Sequence, residues 1–142
     1  MATIETARLG VCRAYDELRR KSFGADDTTQ PALLRVEENN RYSSGYSSSQ
    51  NELVIYLSDG DLEDWELPRL SGHPPWVTTL IHEIVHEYQH KRVRGPSKEG
   101  VTLMSDHKRP FDGQGHDEQF YTAIAAIAPA FNLTPEQFLQ SL

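Results

Sequence analysis

TTLIHEIVHEYQHKR, residues 78–92, holds the pattern His-Glu-x-x-His twice in overlapping frames, His82-Glu83-x-x-His86 and His86-Glu87-x-x-His90. On a helix, two histidines four residues apart share a face and can converge on one metal ion, with the enclosed glutamate beside them as a base. With 6 His in 142 residues, chance supplies such a match in roughly one chain in fifty. The pattern is therefore informative, and its competitor is a histidine-rich solvent face on an ordinary helix.

Helix geometry separates the frames. At about 100° per residue, Val77, Leu80, Ile81, Ile84, Val85 and Tyr88 gather on one face that must pack on the core. His82, His86 and His90 fall on the other side, with Glu83 next to them, so a metal site there has to be roofed by another part of the chain. His90 comes in the last turn among Lys91, Arg92 and Arg94, whose charges oppose a bound dication. His82 has no cation within three positions. The first frame is favoured.

The three histidines cannot share one ion, because residues i and i+8 lie about 12 Å apart along a helix and zinc–nitrogen bonds are about 2.0–2.1 Å. A third ligand must come from elsewhere. His116, in GQGHDEQF, leads, since it follows a glycine-bearing loop and opens the next helix. Glu118 is the alternative and would give a two-His, one-Glu set. His107 is weaker because Lys108 and Arg109 follow it, and the short-spaced variant fails because position 92 is Arg. His73, before Pro74, and Glu99 read as loop residues.

A length of 142 residues suggests one domain with a core of its own. The excess of 21 acidic over 14 basic residues leaves a net charge of −7, which argues against general affinity for nucleic acid or anionic membrane. The lone Cys12 rules out an internal disulfide and a cysteine-rich zinc ribbon. MATIETARLG has no basic segment leading into an apolar run, so no signal peptide is expected. No apolar stretch approaches the roughly 20 residues that span a bilayer. A cytoplasmic protein is the default expectation.

Periodicity predicts a helix from residue 3 to about 22, carried by Ile4, Ala7, Val11, Ala14, Tyr15 and Leu18. ALLRVEEN (32–39) and NELVIYLS (51–58) read as strands, and RYSSGYSSSQ between them as a polar strand with a turn, or a loop. The segment from Ser58 to Pro75 reads as a loop with one helical turn. Pro74 and Pro75 suit the start of a helix running from Trp76 to about Arg94. Residues 95–115 read as a long loop, followed by a helix over 117–128. Thr134-Pro135-Glu136-Gln137 has the form of a capping box opening a short last helix. Trp65, Trp76 and Phe111 read as core or cleft wall.

The order of these features resembles the SprT-like zinc metallopeptidases over residues 5 to 133. A leading helix precedes a small sheet in which a Gly-Tyr strand (Gly45-Tyr46) pairs with an apolar one (Glu52 to Leu57). TLIHEIVHEYQ follows on a helix, and Gly115-His116-x-x-x-Phe120 opens another. The resemblance implies an α+β fold: a small antiparallel or mixed three-stranded sheet packed with helices, forming a zincin-like minimal metallopeptidase core. It implies one zinc ion on His82, His86 and His116, Glu83 as catalytic base, and protein or peptide substrates. Some members cleave DNA-crosslinked proteins and carry a cysteine zinc ribbon. The single cysteine here removes the ribbon, so DNA binding is not expected.

The residue types fit that chemistry. Three neutral ligands leave Zn²⁺ its full charge and one open position, where a bound water is acidified to near pH 7. Glu83 would take the water's proton and deliver it to the leaving amine. Tyr46, Tyr88, Tyr121, His107 and Arg109 are candidate oxyanion donors, and Asp112 or Asp117 a candidate partner for a ligand histidine. His90→Ala and Glu87→Gln are expected to leave metal and most activity in place. Two other readings stand beside this one: a non-catalytic zinc-binding or interaction module, and a secreted effector protease.

Overall fold

The computed structural model describes residues 1–67, 73–93 and 118–142. Helix α1 (Ile4–Phe23) begins where the Thr3 hydroxyl accepts the Thr6 N–H, and ends at Gly24, whose φ of 92° suits a residue without Cβ. Ala7, Val11, Tyr15, Arg19 and Phe23 are buried along one stripe at near-helical spacing.

Strands β1 (Leu33–Glu38), β2 (Gly45–Ser47) and β3 (Glu52–Leu57) form a sheet in the order β1-β3-β2. The sheet is mixed. β1 runs parallel to β3, with Val36 opposite Ile55, and β2 pairs antiparallel with Tyr46 opposite Leu53. The Gly45-Tyr46 segment is thus a strand, paired with the apolar one as expected. Leu53, Ile55 and Leu57 alternate into the core, as period-two patterning requires.

Helix α2 (Asp59–Glu63) is a single capped turn, with Ser58 and Asp61 forming a capping box. Helix α3 (Pro75–Tyr88) carries Pro75 in its first turn. The expected uniform helix to Arg94 is interrupted: residues Gln89–Val93 form a π-helical turn instead. Helix α4 (Glu118–Ile127) runs into a 3₁₀ segment (Ala128–Phe131), which Asn132 closes in the left-handed region. Helix α5 (Pro135–Gln140) opens on the expected capping box, Thr134 with Gln137. The loop expected over 95–115 lies outside the described residues.

The described residues are therefore α+β, with a three-stranded mixed sheet and five α-helices. α3 lies between two apolar clusters. Trp76, Leu80 and Ile84 pack with α1 and the sheet, while Ile81 and Val85 pack with Phe120, Ala123, Ile124 and Ile127 of α4 and with Phe138 of α5. Trp76 stacks on Trp65 at 4.2 Å between ring centroids and donates its indole N–H to the Trp65 carbonyl. Phe120 and Ile124, four residues apart, anchor α4 in the core. No helix among the described residues is long and apolar enough to cross a membrane.

Candidate metal centre

His82 and His86 stand on successive turns of α3, their ring centroids 5.0 Å apart. The roof that the sequence required is Phe120 of α4, with its ring 5.5 Å from that of His82 and 4.8 Å from that of His86. His86 is buried and His82 half-buried. The far side of α3 is thus not a solvent face.

Glu83 lies between the two histidines in sequence and is 7% exposed. Burial pushes its carboxyl up to about 8, because no cation or donor among the described residues offsets the loss of water. With His82 it lines a cleft of about 410 Å³, whose other walls include Asn39, Tyr42, Ser44, Tyr56, Asp61 and Thr79.

The glutamate of the second frame is placed quite differently. Glu87 is 0% exposed. Its Oε1 accepts from the Tyr15 hydroxyl at 2.7 Å, and its Oε2 from Arg19 Nε at 2.9 Å and Lys91 Nζ at 2.6 Å. Arg19 extends the network to the Thr29 hydroxyl and to Asp27, which Arg92 also binds at 2.7 Å. The Asp27 carboxyl is held below its usual value, since bonds from Thr29 and Arg92 and the charge of Arg19 outweigh the desolvation that opposes them. A carboxylate tied to three donors is no base for a substrate in the cleft. Of the two frames, the first alone puts its glutamate at the cleft.

His90 sits in the π turn beside Tyr46, with ring centroids 5.8 Å apart. Tyr46 donates to Asn51 Oδ1 at 3.1 Å, and burial together with the charge of Glu87 pushes its phenol up to about 12. Tyr88 packs edge-on against Phe23 in the core, and Tyr121 stands edge-on to Phe120. Sequence reasoning missed one partner altogether. Gln89 Oε1 lies 3.0 Å from His86 Nδ1, at a spacing of i, i+3 that places both side chains on one helix face.

The donor set fits a zinc ion as far as it is described. Two imidazoles on adjacent turns supply the right atoms, and a dication would relieve the uncompensated burial of Glu83. Among the described residues no group of three His, Cys, Asp or Glu is placed to hold a metal. Glu118, the alternative third ligand, is exposed at the start of α4 and does not complete such a group. His116, His107, Arg109, Asp112 and Asp117 lie outside the described residues.

Glu83 makes the stability of the metal-free protein depend on pH. Its folded value of about 8 lies above the ordinary 4.5, so the folded state holds that proton more tightly. The resulting stabilisation is complete below the unfolded value and is lost as pH rises through the folded one. Across that window the loss approaches at most about 1.4 kcal/mol per pH unit. Urea unfolding of chelated protein is expected to show Glu83→Gln gaining on wild type between pH 5 and pH 8. A constant difference between the two would contradict this placement of Glu83.

Compared with protein-family models, curated proteins and solved structures, the chain matches none.

Proposed function

We propose that this chain is a zinc-dependent metallopeptidase with a zincin-like core of the SprT-like kind, acting on protein or peptide substrates in the cytoplasm. His82, His86 and His116 are the ligands and Glu83 the general base. One observation supports this above the rest: a buried carboxyl (Glu83), uncompensated among the described residues, lines a cleft together with His82, one turn from His86. A structural role gives no reason to bury a carboxyl that has no partner among the described residues, whereas a base beside a cation needs that position.

Zinc held there would supply Lewis acidity towards a peptide carbonyl and an acidified water. Glu83 receives the proton and passes it to the departing amine. Phe120 shields the imidazoles from solvent, and the cleft's hydroxyl and amide groups offer hydrogen bonds to an extended peptide.

The ligand set is tested by metal content. His82→Ala and His116→Ala are expected to abolish stoichiometric zinc, whereas His90→Ala and Glu118→Ala keep it. Chelation is expected to lower the melting temperature of wild type, because three ligands cannot stay assembled in the unfolded chain, and His116→Ala to mimic the chelated protein. Zinc lost with His90 but kept without His82 would reverse the choice of frame, and zinc lost with Glu118 but kept without His116 would move the third ligand. Purified protein with stoichiometric zinc that cleaves no peptide or unfolded protein would leave a non-catalytic zinc module.

A net charge of −7 predicts weak, strongly salt-dependent DNA affinity. Submicromolar binding at physiological salt, or proteolysis that starts only when DNA is added, would contradict it.

A further inference from the structure

The contact between His86 and Gln89 bears on which imidazole nitrogen carries the hydrogen and which the lone pair a metal would bind. His86 Nδ1 lies 3.0 Å from Gln89 Oε1, and Gln89 is 1% exposed. An amide oxygen only accepts, so in a neutral imidazole the hydrogen sits on Nδ1 and the lone pair is left on Nε2. That is the form a metal-binding histidine requires, and a fixed acceptor on the other nitrogen both orients the ring and raises its basicity. Gln89 is itself held in place: it opens the π turn, and its backbone N–H bonds to the carbonyls of His86 and Val85. Phe120 covers the His86 ring at 4.8 Å.

We propose that Gln89 is a positioning residue for the metal ligand His86, its side-chain carbonyl locking the Nδ1–H tautomer so that Nε2 is ready before a metal arrives. This role rests on the metallopeptidase reading above, but its main signature needs no metal. In metal-stripped wild type, side-chain ¹⁵N–¹H correlation spectra at a pH where the ring is neutral are expected to show His86 as the Nδ1–H tautomer. Gln89→Leu keeps the bulk and removes the acceptor. It is expected to shift His86 towards the Nε2–H form and to weaken zinc binding about 10- to 100-fold. Gln89→Glu restores an acceptor and is expected to keep both the tautomer and near-wild-type zinc affinity.

An Nε2–H wild-type His86, a folded Gln89→Leu with unchanged zinc affinity, or a Gln89→Glu as weak as Gln89→Leu would each overturn the role. Should Gln89→Leu not fold, the wild-type tautomer and Gln89→Glu decide the matter. A wild type that takes up no zinc overturns the metallopeptidase reading and this role together. Zinc uptake without hydrolysis overturns the peptidase reading alone, and the affinities of the Gln89 variants then still decide the role.

Discussion

Glu83→Gln is expected to retain fold and stoichiometric zinc while peptide hydrolysis falls by about 10²- to 10⁴-fold, the usual contribution of a positioned general base. Glutamine has the shape of glutamate and no charge, so the buried pocket that holds Glu83 at 7% exposure accepts it without a cavity. Under the proposed ligand set, metal affinity rests on His82, His86 and His116, none of which the change touches. Only proton transfer is removed. In the metal-free protein burial raises the carboxyl to about 8. A dication within a few ångström would favour the ionised form and draw it back down, so under the proposed mechanism wild type would work at neutral pH as a charged base. The measurements are kcat/KM on an unfolded protein substrate and zinc per chain by elemental analysis. Wild-type turnover in zinc-loaded Glu83→Gln would remove Glu83 from the reaction.

Glu87→Ala is expected to destabilise the fold by about 3–5 kcal/mol, the range for removing one partner from a buried ion pair. The sequence alone predicts only that Glu87→Gln leaves metal and most activity in place, and says nothing of stability. In the structure Glu87 is the hub joining Tyr15 and Arg19 of α1 to Lys91 after α3, with both Oε1 and Oε2 engaged. Arg19 is itself buried, and losing Glu87 leaves its guanidinium short of the charge it was desolvated against. Lys91, further out, can turn to solvent and loses less. Glu87→Gln keeps one acceptor and the shape, and is expected to lose the larger part of the same stability. Replacing Glu87 and Arg19 together by apolar residues should be milder than the sum of the single changes, because no orphaned charge remains. Denaturant midpoints for the singles and the double close this cycle. A Glu87→Ala protein within about 1 kcal/mol of wild type would mean that the network adds little.

Local chemistry made much of this molecule legible before any coordinates. The capping box at Thr134 and Gln137, the proline start of α3 and the apolar stripe of α1 depend on residues within a turn or two of one another. Their elements therefore appear close to where periodicity places them. The overlapping His-Glu-x-x-His frames were likewise readable, because spacing along one helix is itself a geometric statement. So was Gln89, three residues from His86, had the spacing been followed past the histidines.

What local pattern could not carry is direction and company. Short runs rich in branched apolar residues mark β1 and β3 as strands but do not say whether they run parallel, and that was settled by how β3 sits between its two neighbours. The period of α3 shows one apolar face, yet the helix is packed on two sides because α4 brings Phe120 and Ile124 against it. The π turn at Gln89–Val93 breaks the period itself. The two glutamates were separated most sharply by partners lying 72 and 68 residues away in the chain, Tyr15 and Arg19. Identical residue types at equivalent places in a repeated motif acquire opposite roles, an uncompensated carboxyl at a cleft and a saturated one in the core. Desolvation and pairing are properties of the folded surroundings, and no window of sequence contains them.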